Sequence, residues 1–251
     1  MELLVTIILI LLPIVLVIRY LRSAGFKGKV GESKVKVSGG LWLPSGTYHA
    51  IHDLTLPTPR GTTQIDHVYV SKYGIFVVET KNYQGWIFGS EHQKKWTQVI
   101  YGDKFKLLNP LIQNYGHVRA VQAALNVAPE IIYSVVVFVG DSKFKTPMPP
   151  NVTKGRKFAK YIKSFKKVVL SEHEVHGIVQ QLQTGRFERS GKTNRQHIRN
   201  VKANKSGKAQ TTNCPRCGCK LTLRTAKRGS NAGSQFLGCT AFPNCRFTRK
   251  A

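Results

Sequence analysis

Gln64-Ile65-Asp66-His67-Val68-Tyr69-Val70, then Ser71-Lys72-Tyr73-Gly74, then Ile75-Phe76-Val77-Val78-Glu79-Thr80-Lys81: two β-rich runs flank a glycine-bearing turn, the pattern of a hairpin. If Val70 pairs with Ile75, Asp66 falls opposite Glu79. A two-residue or a four-residue loop gives that register, whereas an odd loop or a bulge turns one side chain to the other face. Lys81 lies two residues past Glu79 and shares its face. Opposed carboxylates with Cβ atoms about 5 Å apart repel each other unless something offsets them. A divalent cation, Mg2+ or Mn2+, is the natural compensator, and water bound to it becomes a better nucleophile. A lysine beside it orients that water or stabilises charge developing on a phosphate. The same short pattern also fits an exposed hairpin whose Glu79 and Lys81 form a weak ion pair in solvent.

Downstream, Asn109-Pro110 reads as an N-cap followed by a first-turn proline, so a helix is expected from there to about Asn126. On its wheel Leu111, Tyr115, Val118 and Leu125 form the stripe expected to face the core. Gln113, His117, Ala120 and Ala124 occupy the other side, polar and then small, able to approach the hairpin closely; a solvated Gln113 fits the pattern equally.

Charge narrows the class of partner. The 251 residues carry 39 Lys plus Arg against 12 Asp plus Glu, a formal +27, which attracts polyanions. From Thr184 onward there are 16 basic residues and one acid, Glu188. Nucleic acid, anionic lipid or a merely solvated basic tail would each accommodate such a segment. All five cysteines also lie there: Cys214-Pro215-Arg216-Cys217-Gly218-Cys219 and Cys239-Thr240-Ala241-Phe242-Pro243-Asn244-Cys245. A CxxC knuckle followed by a second pair suits a closed four-thiolate Zn2+ site holding a module too small for its own core. The ligands are Cys214, Cys217, Cys239 and Cys245, with Cys219 free or standing in for Cys217; a disulfide in an oxidising compartment is the alternative.

Several stretches in order, Gly61-Thr62-Thr63-Gln64-Ile65-Asp66-His67-Val68, Gly74 to Tyr83, Trp96-Thr97-Gln98 and Asn109-Pro110-Leu111-Ile112-Gln113-Asn114, resemble the nuclease-related domain (NERD) family over residues 29–127. That family is similar to the PD-(D/E)XK nucleases, named for a set of the kind Asp66, Glu79 and Lys81 would form. The resemblance implies an α/β restriction-endonuclease-like core, a mixed central sheet flanked by helices, and metal-dependent phosphodiester hydrolysis. It also carries over two positions. Glu32, in Gly31-Glu32, would add a third carboxylate from the first core helix, where a solvated helix-start glutamate is the bland reading. Gln113 would assist catalysis.

The C-terminal residues Cys214-Pro215-Arg216-Cys217-Gly218, Leu221, Arg224, Gly229, Phe236-Leu237-Gly238-Cys239 and Phe242-Pro243-Asn244-Cys245-Arg246 resemble the C4 zinc finger of bacterial type I topoisomerases, which implies DNA binding and not topoisomerase chemistry. Arg216, Arg224, Lys227, Arg228, Arg246 and Arg249 could neutralise phosphates, while Phe236 and Phe242 could stack on bases. A phenylalanine in so small a fold also commonly packs beside the metal site.

At the start of the chain, residues 3–18 are apolar except Thr6 and lead into Arg19, Tyr20, Leu21 and Arg22. The expectation is a transmembrane anchor over residues 3–21, with a cleaved signal peptide as the alternative. The following positive residues place the rest on the cytoplasmic side of a bacterial inner membrane. The expected organisation continues with a nuclease-like domain over 27–183, a basic linker over 184–212 and the zinc finger over 213–250. A turn at Leu43-Pro44-Ser45-Gly46, a loop from Leu56 to Gly61, strands at Gly85 to Gly89 and Lys94 to Tyr101 continuing the sheet, a buried strand over residues 131–139, a loop over residues 143–150 and a last helix capped by Ser171 complete the reading. Two functions follow: a metal-dependent nuclease acting on DNA in preference to RNA, or a catalytically silent DNA-binding scaffold.

Overall fold

The computed structural model describes residues 2–59, 61–185, 214, 216–217, 219–226 and 233–250, with side chains described between residues 11 and 249. The first helix, α1 (Glu2–Arg22), contains Pro13 and ends on Arg19 and Arg22. The expected membrane anchor is not supported, because among the described residues no helix is long and apolar enough to cross a membrane.

Helix α2 (Ala24–Trp42) starts at Ser23, whose hydroxyl accepts the backbone N–H of Phe26 at 3.2 Å, an N-cap of the usual kind. Its buried stripe is Gly31, Val35 and Gly39. A Cβ added at Gly39 would stand 2.1 Å from the Tyr69 hydroxyl, and one at Gly31 would stand 2.7 Å from Asn82 Cβ. The two glycines therefore cost helix propensity but let α2 lie directly on the sheet.

That sheet has five strands in the order β1 (His49–Thr58), β2 (Gly61–Ser71), β3 (Gly74–Asn82), β7 (Ile132–Val139), β9 (Val152–Lys154). The first three strands are antiparallel, whereas β3, β7 and β9 run parallel. The hairpin register is the expected one: Val70 faces Ile75, and Ser71 faces Gly74 across the two-residue turn Lys72-Tyr73. Gly74 has φ +128°, a conformation that suits glycine. Of the stretch from Leu56 to Gly61, expected as a loop, Leu56 to Thr58 instead complete β1 and Gly61 opens β2, with Pro57 opposite Thr62 and Thr58 opposite Gly61. Pro57 is tolerated because β1 is an edge strand.

Alternation along β2 and β3 divides the core. Val68, Val70, Ile75 and Val77 join Val121 and Leu125 of α3 (Pro110–Leu125) and Val175, Ile178 and Leu182 of α5 (Glu172–Thr184) on one face. Tyr69, Phe76 and Val78 join Val35 of α2 and Phe158, Ala159 and Ile162 of α4 (Lys157–Lys163) on the other. Strand β7 is buried on both faces, as its β-branched run requires. The arrangement is a mixed α/β fold with a central mixed sheet and flanking helices.

The segments β4 (Gly85–Phe88) and β5 (Lys95–Ile100) do not extend this sheet. With β6 (Asp103–Leu108) and β8 (Ser142–Phe144) they make a second one, in the order β6-β5-β4-β8. Part of the loop expected over residues 143–150 is thus β8, paired in parallel with β4. This smaller sheet packs Ile87 and Trp96 against Val136 and Phe138 of β7, with the Trp96 and Phe138 rings stacked at 6.1 Å. Ser171 caps α5 in a capping box with Glu174, as expected. Beyond Gly185 the linker lies outside the described residues. The C-terminal module holds a three-stranded sheet, β10 (Leu221–Thr225), β11 (Gln235–Cys239) and β12 (Thr248–Lys250).

Candidate active site and zinc centre

Strand β3 carries Glu79 and Lys81 out of the core on the same face as Val77, which is the face covered by α3. Asp66, on the side of Val68, looks toward the same helix. Its Oδ2 accepts the backbone N–H of Thr80 at 2.7 Å, which ties the end of β2 to β3 where their regular pairing stops at His67 and Val78. Glu79 is 3% exposed and fully partnered. Its Oε1 accepts Lys81 Nζ at 2.6 Å and Gln113 Nε2 at 2.7 Å, while its Oε2 lies 3.2 Å from His117 Nε2. Lys81 Nζ also donates to Gln113 Oε1 at 2.9 Å. The solvated ion pair is thereby excluded, and Gln113 is part of the cluster.

The electrostatics follow from burial and these partners. Desolvation pushes the Asp66 carboxyl well above its ordinary value, and Glu79 and Glu32 push it further in the same direction, against the Thr80 hydrogen bond. Desolvation also acts on Glu79, but Lys81 and His117 outweigh it and hold Glu79 down to about 2. Burial disfavours the Lys81 ammonium, yet Glu79 and Asp66 overcome this and raise it above the usual lysine range. The site keeps one acid ionised beside a charged amine and leaves a second acid short of positive charge.

A dication beside Asp66 would relieve that shortage, so the donor chemistry fits a hard cation held by carboxylate oxygen. Glu32 sits on α2, near enough to act on Asp66 through its charge. The three acids are not drawn into one tight cage. Among the described residues, the group of three or more potential ligands with all donor atoms within 4.8 Å of one another is the cysteine cluster. Asp66 is the carboxylate with capacity for a cation, and Glu79 would have to exchange a partner to join it.

Helix α3 places Gln113 and His117 through residues whose roles are visible only in three dimensions. Asn109 is fully buried and caps the helix, accepting Leu111 N–H and donating to the carbonyls of Ser90, Glu91 and Gln93. Asn114 is also fully buried, and its Nδ2 donates to Val77 O, Ser134 Oγ and Val135 O at 2.9, 2.9 and 3.1 Å. It staples α3 across β3 and β7. Of the stripe expected in the core, Leu125 is buried there and Val118 packs against it, whereas the rest of the buried side of α3 is Ile112, Asn114, His117, Ala120 and Val121. Leu111 turns instead to the small sheet, and Tyr115 turns to the cysteine cluster. His117 is the site residue whose role the sequence left unassigned. Its Nδ1 pairs with Thr63 Oγ1 at 3.0 Å, and its position one turn after Gln113 is the signal that links them.

The four expected zinc ligands converge. Cys214 and Cys245 Sγ atoms lie 3.7 Å apart, those of Cys217 and Cys239 3.3 Å apart, and all four residues are buried. A tetrahedral ion with Zn–S bonds of about 2.3 Å needs S···S separations of about 3.8 Å, so the cluster suits structural Zn2+. Cys217 and not Cys219 takes the second position. Backbone N–H groups of Arg216 and Ala241 point at the sulfurs of Cys214 and Cys239, each at 3.4 Å, as the loops around such a centre require.

Of the expected nucleic-acid contacts, Phe242 is exposed, with the Arg224 and Arg246 guanidiniums 5.9 and 5.7 Å from its ring centroid, within cation–π range. Phe236 is partly buried on β11 opposite Arg224. Phe247, which the sequence did not single out, is the aromatic of the module that packs on the cysteines, alongside Tyr115 of α3. Lys227 and Arg228 lie outside the described residues.

Residues 27–139 match the family model described as "Nuclease-related domain", and residues 211–251 match the model described as "Topoisomerase DNA binding C4 zinc finger". An uncharacterized protein of Bacillus anthracis is 47% identical over 98 residues, which are 39% of this chain and 46% of that protein. The chain thus spans about half the length of the curated relative it matches. No solved structure matches the chain.

Proposed function

We propose that the chain is a metal-dependent nuclease of the PD-(D/E)XK type, with a restriction-endonuclease-like core, that hydrolyses phosphodiesters in DNA presented by its zinc ribbon. The observation that carries this reading is the shared face of Asp66, Glu79 and Lys81, with Lys81 Nζ at 2.6 Å from Glu79. Bound Mg2+ or Mn2+ would supply an activated water and charge neutralisation at phosphate. Asp66 would hold the ion, with Glu32 and Glu79 adding negative charge. Lys81, charged and nearly dehydrated, would face the developing phosphorane. Gln113 keeps Lys81 and Glu79 in register by contacting both, and His117 braces Glu79 from the other oxygen. On the ribbon, Phe242 with Arg224 and Arg246 offers a stacking platform ringed by charge. Four buried thiolates belong in a reducing compartment, so we assign the folded domains to the cytoplasm.

The test is cleavage of plasmid and single-stranded DNA by the purified chain with and without Mn2+, beside Asp66→Asn and Lys81→Ala. Metal-dependent cutting by wild type, reduced at least a hundredfold in both variants, supports the nuclease. Equal cutting by all three marks a contaminant. The silent DNA-binding scaffold remains the second reading because Glu79 already has a partner for each oxygen. Metal-independent binding without cleavage would favour it.

A further inference from the structure

Where the zinc ribbon meets α3, the chain forms a cleft of about 710 Å³, within the size range of ligand pockets. One wall is α3, with Gln113, Gly116, His117, Arg119, Ala120 and Ala123; the facing wall is the ribbon, with Arg216, the cysteine loops and Phe247. Contact between the walls is close. Tyr115 packs on the cysteine cluster, and a Cβ added at Gly116 would come within 3.1 Å of the Arg216 carbonyl oxygen.

The geometry points to this cleft as the path along which a single nucleic-acid strand reaches Glu79 and Lys81, with Arg216 and Arg119 holding its phosphates from opposite walls. Four observations converge. Each wall contributes a guanidinium, the side chain best matched to phosphate. Arg216 Nη1 is buried without a hydrogen-bond partner among the described residues, an arrangement that leaves a cationic donor in want of an anion. Thr62 and Thr63, from the β1–β2 hairpin, also line the cleft, with the Thr63 hydroxyl paired to His117, and Gln113 and His117 in its α3 wall are the two helix side chains in direct contact with Glu79. Finally, Glu79 is 3% exposed, which a thin, unpaired chain suits better than a duplex. Sequence-tolerant binding of this kind depends on charge along the groove. The inference deepens the proposed function and rests on it for the direction of the strand.

Its test reads binding alone. Fluorescence anisotropy of a labelled oligothymidylate about a dozen nucleotides long, within the site sizes of single-strand binders, is followed with the full zinc-loaded chain and no added divalent ion. Arg216→Gln, Arg119→Gln and Ala123→Glu are each expected to weaken binding at least roughly fivefold, with zinc content and circular dichroism unchanged. Ala123 is exposed, so the added carboxylate repels the strand without touching the core. Weakening by Arg216→Gln alone, with both α3 variants binding as wild type, would mean that the ribbon acts without the helix and would overturn the cleft. Tighter binding of a duplex of equal length, or equal competition by thymidine monophosphate at matched phosphate concentration, would overturn the single-strand assignment. Intact binding in a protein that cuts nothing would count against the nuclease and leave the cleft standing.

Discussion

Asp66 and Glu79 respond to the same burial in opposite ways, and their neighbours decide which. Glu79 has the Lys81 ammonium and the His117 imidazole beside it, and these outweigh its burial, so its pKa falls to about 2 from an ordinary 4.5. That stabilisation is present above the unfolded value and is lost as pH drops from about 4.5 toward 2. Asp66 is raised above its ordinary 3.8, so ionising it costs folded-state stability at neutral pH. Asp66→Asn should therefore stabilise the metal-free protein by about 1 kcal/mol, roughly 2–4 °C in Tm for a domain of this size, while eliminating the gain expected of wild type on adding Mn2+. Thermal melts with and without the ion check both halves. Glu79→Gln should do the reverse, destabilising by about 3 kcal/mol because it leaves the Lys81 charge buried without its counterion. Urea titrations should show it, together with a shallower loss of stability between about pH 4.5 and 2 than in wild type. Both acids and the lysine were legible in the sequence, since a period of two and a short turn suffice to put them on one face. Their opposite titration was not, because it depends on how deeply each acid is buried and on His117, which arrives from more than thirty residues away to join Lys81 in holding Glu79 down.

Among the elements, α3 carries the burden of position. Its cap at Asn109 could be read from the Asn-Pro pair. The orientation of its faces could be read only in part, since Val118 and Leu125 face the core as the apolar stripe implies, whereas Tyr115 serves the zinc module and Leu111 the small sheet. Asn114 accounts for part of the difference: three of its hydrogen bonds reach β3 and β7, and satisfying them brings a polar side chain into the core beside Ile112 and Val121. Asn114→Ala should cost about 2–3 kcal/mol by denaturant unfolding, from the acceptors left unpaired. Cleavage by the refolded variant should fall about tenfold or more, although Asn114 makes none of the contacts to Glu79 or Lys81, because Gln113 and His117 lose their register. In α2, Gly39→Val should destabilise by at least about 2 kcal/mol, since the added methyl groups have Tyr69 where they must go.

For the molecule as a whole, a small buried cluster of two acids, a lysine, a glutamine and a histidine is joined to a basic ribbon by a stretch rich in lysine and arginine. The residues after Gln210 include eight basic ones, Arg216, Lys220, Arg224, Lys227, Arg228, Arg246, Arg249 and Lys250, and each phosphate they neutralise contributes roughly 0.7–0.9 to the slope of log affinity against log salt. Removing them should flatten that slope by several units, up to roughly seven if all eight are engaged, while Mn2+ is still expected to raise the Tm of the remaining domain. Titrating affinity from low to moderate salt measures the first, and a melt measures the second. Chelating the zinc should produce the same flattening, because a module of this size folds on its metal.

What the amino-acid sequence determined by itself was mostly local: the alternation that puts Asp66, Glu79 and Lys81 on one face once the turn is even, the helix caps at Asn109 and Ser171, the two cysteine-bearing knuckles and the excess of positive charge. Tertiary structure alone decided that β4 and β5 leave the main sheet, that Cys217 is the ligand where Cys219 could have been, that α3 buries His117 and Asn114, and that the ribbon rests against α3 at Tyr115. The physical reason is that local geometry fixes which residues share a face, while the partner of that face is chosen by competition among all surfaces of the folded chain for burial and hydrogen bonds.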